Sequence, residues 1–335
     1  MFNPSSILSG DRRALARLLT QIENGEPAAE PVLAALFPQT GRAHLIGLTG
    51  APGTGKSSLV NELAKTLRSQ NHTVAIVAVD PSSPFTGGAI LGDRIRMRDL
   101  AGDPGVFIRS MASRGSSGGL ARATADAVKV LDAAGFEKIL IETVGAGQAE
   151  VDIARAAHTV LVIEAPGLGD EVQAIKAGLL EIADVFVVNK ADLPGAENAV
   201  RALRASLDLA HPAARTWADD KMRGHHQSLA SSPGSEFDGI NWMPPILQTV
   251  ALEGQGIAEV TEALERHQAH LHASGEFAQR ERERLAYELK TRLREALFTE
   301  MLARLGNGKL NAAIERVLAR ELDPASAARE LAKDW

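Results

Sequence analysis

The chain has 335 residues, of which 45% are hydrophobic and 23% are charged, as in an ordinary globular protein. Its net charge of -6 and its 4% of aromatic residues argue against a general binder of nucleic acid or membrane surfaces, since both ligands select a basic face. The chain contains no cysteine, which excludes disulfides, thiolate zinc sites and cysteine nucleophiles. Because it shows neither a signal peptide nor an 18-residue apolar run, we expect a cytoplasmic protein without a membrane span.

Apolar runs alternate with helical patterns along most of the chain. Residues 1–42 have a helical pattern, and the predicted strands that follow are 44–50, 74–80, 105–110, 138–145, 159–166, 185–192 and 245–251. Several of these runs are apolar on both faces, as strands covered by helices on each side would be. The pattern predicts an α/β fold with a doubly wound, mostly parallel sheet, whose ligands should bind at the carboxyl ends of the strands.

The carboxyl-terminal part of the chain has a different pattern. Residues 211–244 are rich in turn formers and predict an exposed connector. From about residue 255 the pattern is helical and charged, with Leu285, Leu289, Leu293, Leu297 and Leu302 near helical spacing. Such a stripe needs cover, and both a second subunit and the chain's own domain could supply it. We therefore divide the chain into a helical segment (1–42), a domain built on the predicted sheet (43–268) and a helical arm (269–335).

A glycine-rich stretch, GAPGTGKSS, follows the first predicted strand and opens a predicted helix. It matches the pattern GxxxxGK[ST], in which bare backbone N–H groups and the start of a helix surround an anion. Lys56 can neutralise β- and γ-phosphate oxygens, and the Ser57 hydroxyl can bind Mg²⁺. The residues predicted to contact a nucleotide polyphosphate here are Gly50, Ala51, Pro52, Gly53, Thr54, Gly55, Lys56, Ser57 and Ser58.

A second motif, NKAD, follows a later strand and indicates which base is bound. The Asp192 carboxylate can accept from the N1–H and the exocyclic amine of guanine, a donor pair that adenine lacks. Asn189 can reach the N7 side of the base, and the stem of Lys190 can cover the ring. In TVALEGQGI, Ala251 and Leu252 could offer backbone N–H groups to guanine O6. GTP and GDP are therefore the predicted ligands.

Three acidic residues lie at the ends of predicted strands or in a following loop. From there they could reach the phosphates through a metal ion. Glu142 ends ILIE and has the position of a Walker B acid, close enough to reach Mg²⁺ directly or through water. Gly145 can donate its N–H to the γ-phosphate. Asp80 ends the strand VAIVAVD, and Asp93 lies in LGDRIRM, where it could join the metal in one nucleotide state. Lys56, Glu142 and Gly145 are the predicted catalytic groups.

Five stretches together resemble the MeaB/ArgK family of P-loop GTPases, to which the human methylmalonic aciduria type A protein belongs. They are GAPGTGKSSL, VDPSSPFTGGAILGDRIRM, IRSMASRGSSGGL, ETVGAGQAEVD and NKADLPGAEN. The likeness is strongest over residues 40–210 and looser at both ends. Val250 departs from it, since it stands where the family has a serine.

The resemblance implies a homodimeric GTPase that chaperones an adenosylcobalamin-dependent acyl-CoA mutase and gates delivery of its cofactor. It groups Ser57, Asp80, Asp93 and Glu142 around Mg²⁺ and makes the carboxyl-terminal helices the dimerisation arm. The family's switch III maps onto 165–178, where Gln173 and Lys176 are the expected contacts with the mutase. An adenosyltransferase is a further expected partner, and the mutase could act on methylmalonyl-CoA, isobutyryl-CoA or 2-hydroxyisobutyryl-CoA.

Three other functions remain open from the residues alone. A small-molecule kinase would use the same glycine-rich loop but would leave NKAD without a role. A metal-delivery GTPase could use His225 and His226 as ligands. A non-enzymatic scaffold would not need Lys56, Ser57 and the acids. Ala146 stands where many GTPases place a water-orienting glutamine, so we expect slow intrinsic hydrolysis that a partner accelerates.

Overall fold

The computed structural model describes the backbone of residues 3–80, 97–100, 102–112, 122–143, 149–167, 177–210 and 242–333. Four residues of the predicted site lie outside these ranges: Asp93, Gly145, Gln173 and Lys176. Most of the predicted connector, 211–241, also lies outside them. Asp80 ends a strand whose backbone is described, but its side chain is not.

One parallel sheet organises the described part of the chain. Its strands are β1 His44–Thr49, β2 Val74–Asp80, β3 Val106–Ala112, β4 Lys138–Glu142, β5 Thr159–Glu164, β6 Val185–Asn189 and β7 Ile246–Thr249. They are paired in the order β3-β2-β4-β1-β5-β6-β7, and every pairing is parallel. From β1 the chain passes to β2 and β3 on one side and returns to β4 beside β1, and it then continues through β5, β6 and β7 on the other side. This change of side opens a crevice at the carboxyl end of β1. The predicted doubly wound α/β fold is confirmed.

Helices cover both faces of this sheet. In the described ranges they are α1 Pro4–Leu8, α2 Arg12–Asn24, α3 Glu30–Leu36, α4 Lys56–Ser69, α5 Arg122–Ala133, α6 Ala149–Ala156, α7 Ala177–Ile182, α8 Ala196–Ala210, α9 Ile257–Ser274, α10 Glu276–Leu318 and α11 Pro324–Lys333. Leu59 and Leu63 of α4 lie one turn apart and join Leu264 of α9 in the core beneath one face. Residues of α1 to α3 and α5 to α8 build the core on the other face. Because both faces are covered, the central strands are buried along their whole length.

The helix α2 protects the free edge of the outer strand β3. Its amino end is capped by Asp11, whose carboxylate accepts from the backbone N–H groups of the first turn, and it ends at Gly25 in the left-handed conformation. Glu23 accepts the backbone N–H of Ala112 at 3.1 Å and forms an ion pair with Arg109. These contacts occupy polar groups that an edge strand would otherwise present to another chain.

A buried histidine cluster lies near the amino ends of β1 and β5, at the opposite end of the sheet from the glycine-rich loop. His44 Nε2 is 2.7 Å from Thr159 Oγ1, which is in turn 2.8 Å from His267 Nδ1. His267 Nε2 lies 3.2 Å from a carboxylate oxygen of Asp184. Burial, with help from the positive charge of Lys138, lowers the pKa of His44 well below its ordinary value. Burial therefore favours the neutral imidazole of His44.

Trp242, the first described residue after the connector, packs on this cluster. Its indole N–H donates to the backbone carbonyl of Asp184 at 2.7 Å. Its ring lies 4.7 Å from His267 and 5.5 Å from His270, measured between centroids. The tryptophan therefore covers the cluster at His267 and His270.

The chain divides into two compact units, Met1–Ala278 and Gln279–Trp335. Within the second unit, the helix α10 is interrupted at Gly306, which has φ 70° and ψ 157°. An ion pair between Arg316 and Glu330, 2.8 Å long, joins α10 to α11. The larger apolar side chains that remain exposed on α10 are Tyr287, Leu289, Leu293, Leu297, Phe298, Ile314 and Leu318. Among the described residues, no helix combines the length and the apolar character needed to cross a membrane.

Candidate nucleotide-binding site

The loop between β1 and α4 depends on glycine at two positions. Gly50 has φ 144°, and a Cβ there would lie 2.0 Å from the carbonyl oxygen of Ile163. Gly55 has φ 89°, and its Cβ would lie 2.4 Å from Nδ2 of Asn189. Side chains cannot be accommodated at either place, so the loop backbone packs directly against β5 and the end of β6. Between them, Pro52 and Gly53 are exposed at the tip of the loop.

Lys56 begins α4 and is only 7% exposed. Its Nζ donates to the carbonyl of Gly50 at 2.8 Å and to that of Ala51 at 3.0 Å. The Thr54 hydroxyl donates to the same Ala51 carbonyl at 3.0 Å, which closes the turn. The ammonium group is therefore fixed beside a helix amino end that carries partial positive charge, an arrangement suited to binding phosphate.

Ser57 and Glu142 meet beside this lysine. The Ser57 hydroxyl donates to Glu142 Oε1 at 2.6 Å, and Glu142 is only 5% exposed. They meet because β4 pairs with β1 in a register that places Glu142 opposite Leu48, just before the loop. The hydroxyl and carboxylate oxygens are donors of the kind that hard divalent cations prefer. Ser58, next on the helix, is half-buried.

Asn189 joins the glycine-rich loop to the loop that follows β7. Its Nδ2 donates to the carbonyl of Thr54 at 2.8 Å. Its Oδ1 accepts from the Thr249 hydroxyl at 3.0 Å and from the Ala251 backbone N–H at 3.1 Å. The side chain is 2% exposed, so these bonds are sheltered from water.

The rest of the NKAD segment lies at the surface. Lys190 has φ 58°, and its Nζ donates to the carbonyl of Gly53 at 2.7 Å. Asp192 is exposed two residues further on. Leu252 is 88% exposed, whereas the neighbouring Ala251 is buried and its N–H already donates to Asn189.

Sequence reasoning missed Thr249 as a member of this group. A threonine at the end of a β strand is unremarkable by itself, and the pairing of β7 with β6 is what places it beside Asn189. The sequence signal was present in the parallel pattern of the two strands, which both end in a polar residue before a loop. Asp80 and Glu142 also end neighbouring strands, since β2 pairs with β4.

The fold and the loop together define a class. A parallel sheet, a glycine-rich loop at the carboxyl end of β1 and a lysine at the start of the next helix are the features of P-loop nucleotide-binding proteins. The chain also matches, over residues 15–305, the family model described as "Methylmalonyl Co-A mutase-associated GTPase MeaB". The chain belongs to the MeaB family, and it is a GTPase. The resemblance found in the motifs is thereby confirmed.

The sequences of named relatives match this chain over most of its length. A homologue from Pyrococcus abyssi is 46% identical over 325 residues, which span 97% of this chain and 93% of the homologue. GTPase ArgK of Escherichia coli is 33% identical over 298 residues, spanning 88% and 83% of the two chains. The mouse protein named "Methylmalonic aciduria type A homolog, mitochondrial" is 32% identical over 292 residues, spanning 82% and 64%.

A solved structure has the same fold. The crystal structure of an LAO/AO transport system kinase superposes with a TM-score of 0.66 at 25% sequence identity. The match covers 98% of this chain and 95% of that one. The likeness therefore includes the helices that follow the sheet as well as the sheet itself.

Proposed function

We propose that this GTPase is a chaperone of an adenosylcobalamin-dependent acyl-CoA mutase, gating delivery of the cofactor and protecting or reactivating the mutase. The observation that carries the proposal is the match to the mutase-associated family over residues 15–305. The mouse relative named for methylmalonic aciduria supports the same assignment. Methylmalonyl-CoA, isobutyryl-CoA and 2-hydroxyisobutyryl-CoA mutases all fit this proposal.

In the proposed GTP complex, the residues of the glycine-rich loop bind the phosphates. The N–H groups of the loop and the Lys56 ammonium stabilise charge on the β- and γ-phosphates, for which the ammonium exchanges one or both of its bonds to loop carbonyls. Asp192 accepts from the guanine N1–H and amine, and Lys190 covers the ring. Asn189 holds the base-binding residues next to the phosphate-binding loop, because it bonds to both sides.

Mg²⁺ is the proposed metal cofactor, and the oxygen donors fit it. Ser57 and Glu142 are already within 2.6 Å of one another, so a small cation could be bound directly by the hydroxyl and through water by the carboxylate. Asp80 and Asp93 are the further acids proposed to face the metal. When bound, the ion neutralises developing charge on the β- and γ-phosphate oxygens.

Hydrolysis of the γ-phosphate is mostly a matter of positioning and charge stabilisation. Gly145 is proposed to donate its N–H to the γ-phosphate. We expect the chain to hydrolyse GTP slowly by itself and faster when the mutase contacts Gln173 and Lys176. Coupling of this kind would make GTP hydrolysis the signal that cofactor delivery is complete.

Exposed leucines of the second unit support a homodimer. Leu289, Leu293 and Leu297 recur one helical turn apart and are 68%, 54% and 40% exposed, which supports residues 269–335 as the arm of a homodimer. An adenosyltransferase that loads the cofactor is a further proposed partner. Residues 43–268 are the proposed nucleotide-binding domain. The cytoplasm is the proposed location of these assemblies.

The experiment is a steady-state GTPase assay of the purified chain with each of the three candidate mutases. One mutase should raise kcat at least tenfold and should be retained on the chain in the presence of a non-hydrolysable GTP analogue. An unrelated acyl-CoA enzyme serves as the control. Equal rates with and without every adenosylcobalamin-dependent mutase would contradict the chaperone role.

The solved relative is described as a transport system kinase, which makes a kinase the second candidate function. A kinase would transfer the γ-phosphate of GTP to an acceptor, whereas a GTPase transfers it to water. Thin-layer analysis of the products from γ-labelled GTP distinguishes the two activities. For a GTPase, inorganic phosphate should be the only labelled product. A metal-delivery role would need a ligand cluster. Within the described ranges no group of three or more His, Asp or Glu residues could hold a metal, and His225 and His226 lie outside those ranges.

A further inference from the structure

Thr249 occupies a defined place beside the predicted base-binding motif. It is the last residue of β7, and in the parallel register its Cα is the partner of Asn189, the last residue of β6. Paired residues of neighbouring strands project their side chains to the same face of the sheet. Thr249 is 1% exposed, its hydroxyl donates to Asn189 Oδ1 at 3.0 Å, and its carbonyl accepts from Ala191 N–H at 3.0 Å.

The hydrogen bonds around Asn189 are consistent with only one orientation of its amide. Oδ1 accepts from the Thr249 hydroxyl and from the backbone N–H of Ala251, and Nδ2 donates to the carbonyl of Thr54. A flipped amide would direct its NH₂ at the Ala251 N–H and its oxygen at the Thr54 carbonyl. The environment therefore fixes which end of Asn189 contacts each loop.

Val250, the next residue, supplies no hydroxyl to this network. Its backbone N–H donates to the carbonyl of Gln255 at 3.1 Å, and its own carbonyl accepts from the Gln255 N–H at 3.3 Å. These two bonds close the loop after β7, and Gly256 lets it turn back, since a Cβ there would lie 2.1 Å from the Gln248 carbonyl. The buried hydroxyl of the network comes from Thr249, one residue earlier.

We propose that Thr249 is a positioning residue for guanine-nucleotide binding: its hydroxyl holds Asn189 in the orientation that joins the base-binding loop to the phosphate-binding loop. The inference rests on the proposed GTP site. Thr249 acts through Asn189 and does not contact the nucleotide. Its contribution is equal in the ground state and the transition state, so it belongs to binding and not to the chemical step.

The test is the Thr249→Val variant, which keeps the shape and strand preference of the side chain and removes only the hydroxyl. We expect the Kd for GDP and the KM for GTP to rise about tenfold, with kcat changed less than twofold. Thr249→Ser returns the hydroxyl and should restore both constants to near the wild-type values. A wild-type Kd for GDP in the folded Thr249→Val variant would overturn the inference.

Thr261→Val is the matched control, since Thr261 is also fully buried and its hydroxyl donates to a helix carbonyl of Ile257 far from Asn189. Both variants should lower the unfolding temperature, but only Thr249→Val should weaken GDP binding. An equal loss of GDP affinity in both would overturn the inference as a general packing effect. If the wild-type chain itself fails to bind GDP, the proposed GTP site fails, and the two failures are thereby distinguished.

Discussion

Ser57 donates its hydroxyl to Glu142 at 2.6 Å, although the two residues lie 85 positions apart in the chain. Ser57 lies in the first turn of the helix after the glycine-rich loop, and Glu142 ends the strand that pairs with the strand before that loop. Each was predicted separately from its own motif. Their contact places a hydroxyl and a buried carboxylate, the two groups proposed to face the metal, close to Lys56.

Removing that hydroxyl should slow hydrolysis more than it weakens nucleotide binding. In Ser57→Ala we expect kcat for GTP to fall about a hundredfold or more at saturating Mg²⁺, because an oxygen donor to the metal is lost. Ser69→Ala, at the exposed end of the same helix, is the control and should keep the wild-type rate. A wild-type kcat in Ser57→Ala would remove Ser57 from the metal site.

Gly55→Ala should abolish nucleotide binding in a chain that still folds. The methyl group would lie 2.4 Å from Asn189 Nδ2 and would force that side chain from its place between the two loops. Gly10→Ala is the matched control, since Gly10 has a similar φ of 78° with nothing within 4 Å of the new methyl. Both variants lose about 1 kcal/mol of stability to the left-handed backbone, but only Gly55→Ala should lose the calorimetric signal with GDP.

Glu23 should contribute more to stability than a comparable surface acid. In Glu23→Ala, Arg109, only 14% exposed, loses its ion-pair partner and the Ala112 N–H loses its acceptor, so we expect a loss of about 2 kcal/mol. Glu30→Ala breaks an exposed ion pair with Arg122 and should cost less than about 1 kcal/mol. Urea unfolding of the two variants measures the difference, and equal losses would contradict the edge-protecting role of α2.

The histidine cluster predicts how stability depends on pH. Since burial lowers the pKa of His44 in the folded chain, the unfolded chain binds more protons once the pH falls below about 6.5. The stabilisation is therefore complete above that pH and is lost as the pH falls, by up to about 1.4 kcal/mol per pH unit for one proton. Urea unfolding from pH 8 to pH 5, followed by circular dichroism, should show this slope.

A variant tests whether His44 accounts for part of that slope. His44→Gln is expected to be less stable at pH 8, because Thr159 loses one of its two buried histidine partners, yet to lose less further stability on acidification than the wild-type chain. His72→Gln replaces a half-exposed histidine elsewhere in the chain and serves as the control. Parallel pH profiles for wild-type and His44→Gln would show that the titrating group is another one.

The strands could be predicted from sequence because burial on both faces leaves a continuous apolar run. The run 185–192 thus contained β6, Val185–Asn189, and its polar end marked the strand's carboxyl end. The spatial order of the strands could not be read in this way, since it depends on crossovers between distant runs. The glycine-rich loop was predictable for a different reason, because its residue types are imposed by backbone geometry at Gly50 and Gly55.

The contacts across the site were less accessible to sequence reasoning. The predictions for Ala251 and Leu252 assigned both backbone N–H groups to guanine, whereas in the structure the Ala251 N–H donates to Asn189. A local motif shows which residues are near a loop. It does not show which of their backbone N–H groups already donate to a residue on another strand. For the same reason Thr249 was overlooked: its role depends on the register of β7 against β6.

Isothermal titration calorimetry with GDP and with ADP, each with Mg²⁺, tests the central claim most directly. We expect GDP to bind at least a hundredfold more tightly than ADP, and Asp192→Asn to transfer that preference to xanthosine diphosphate, whose ring carbonyl can accept from the new amide. Asp208→Asn, an exposed acid on α8, is the charge-matched control and should bind GDP as the wild-type chain does. Equal binding of GDP and ADP, or no binding of GDP at all, would contradict the account.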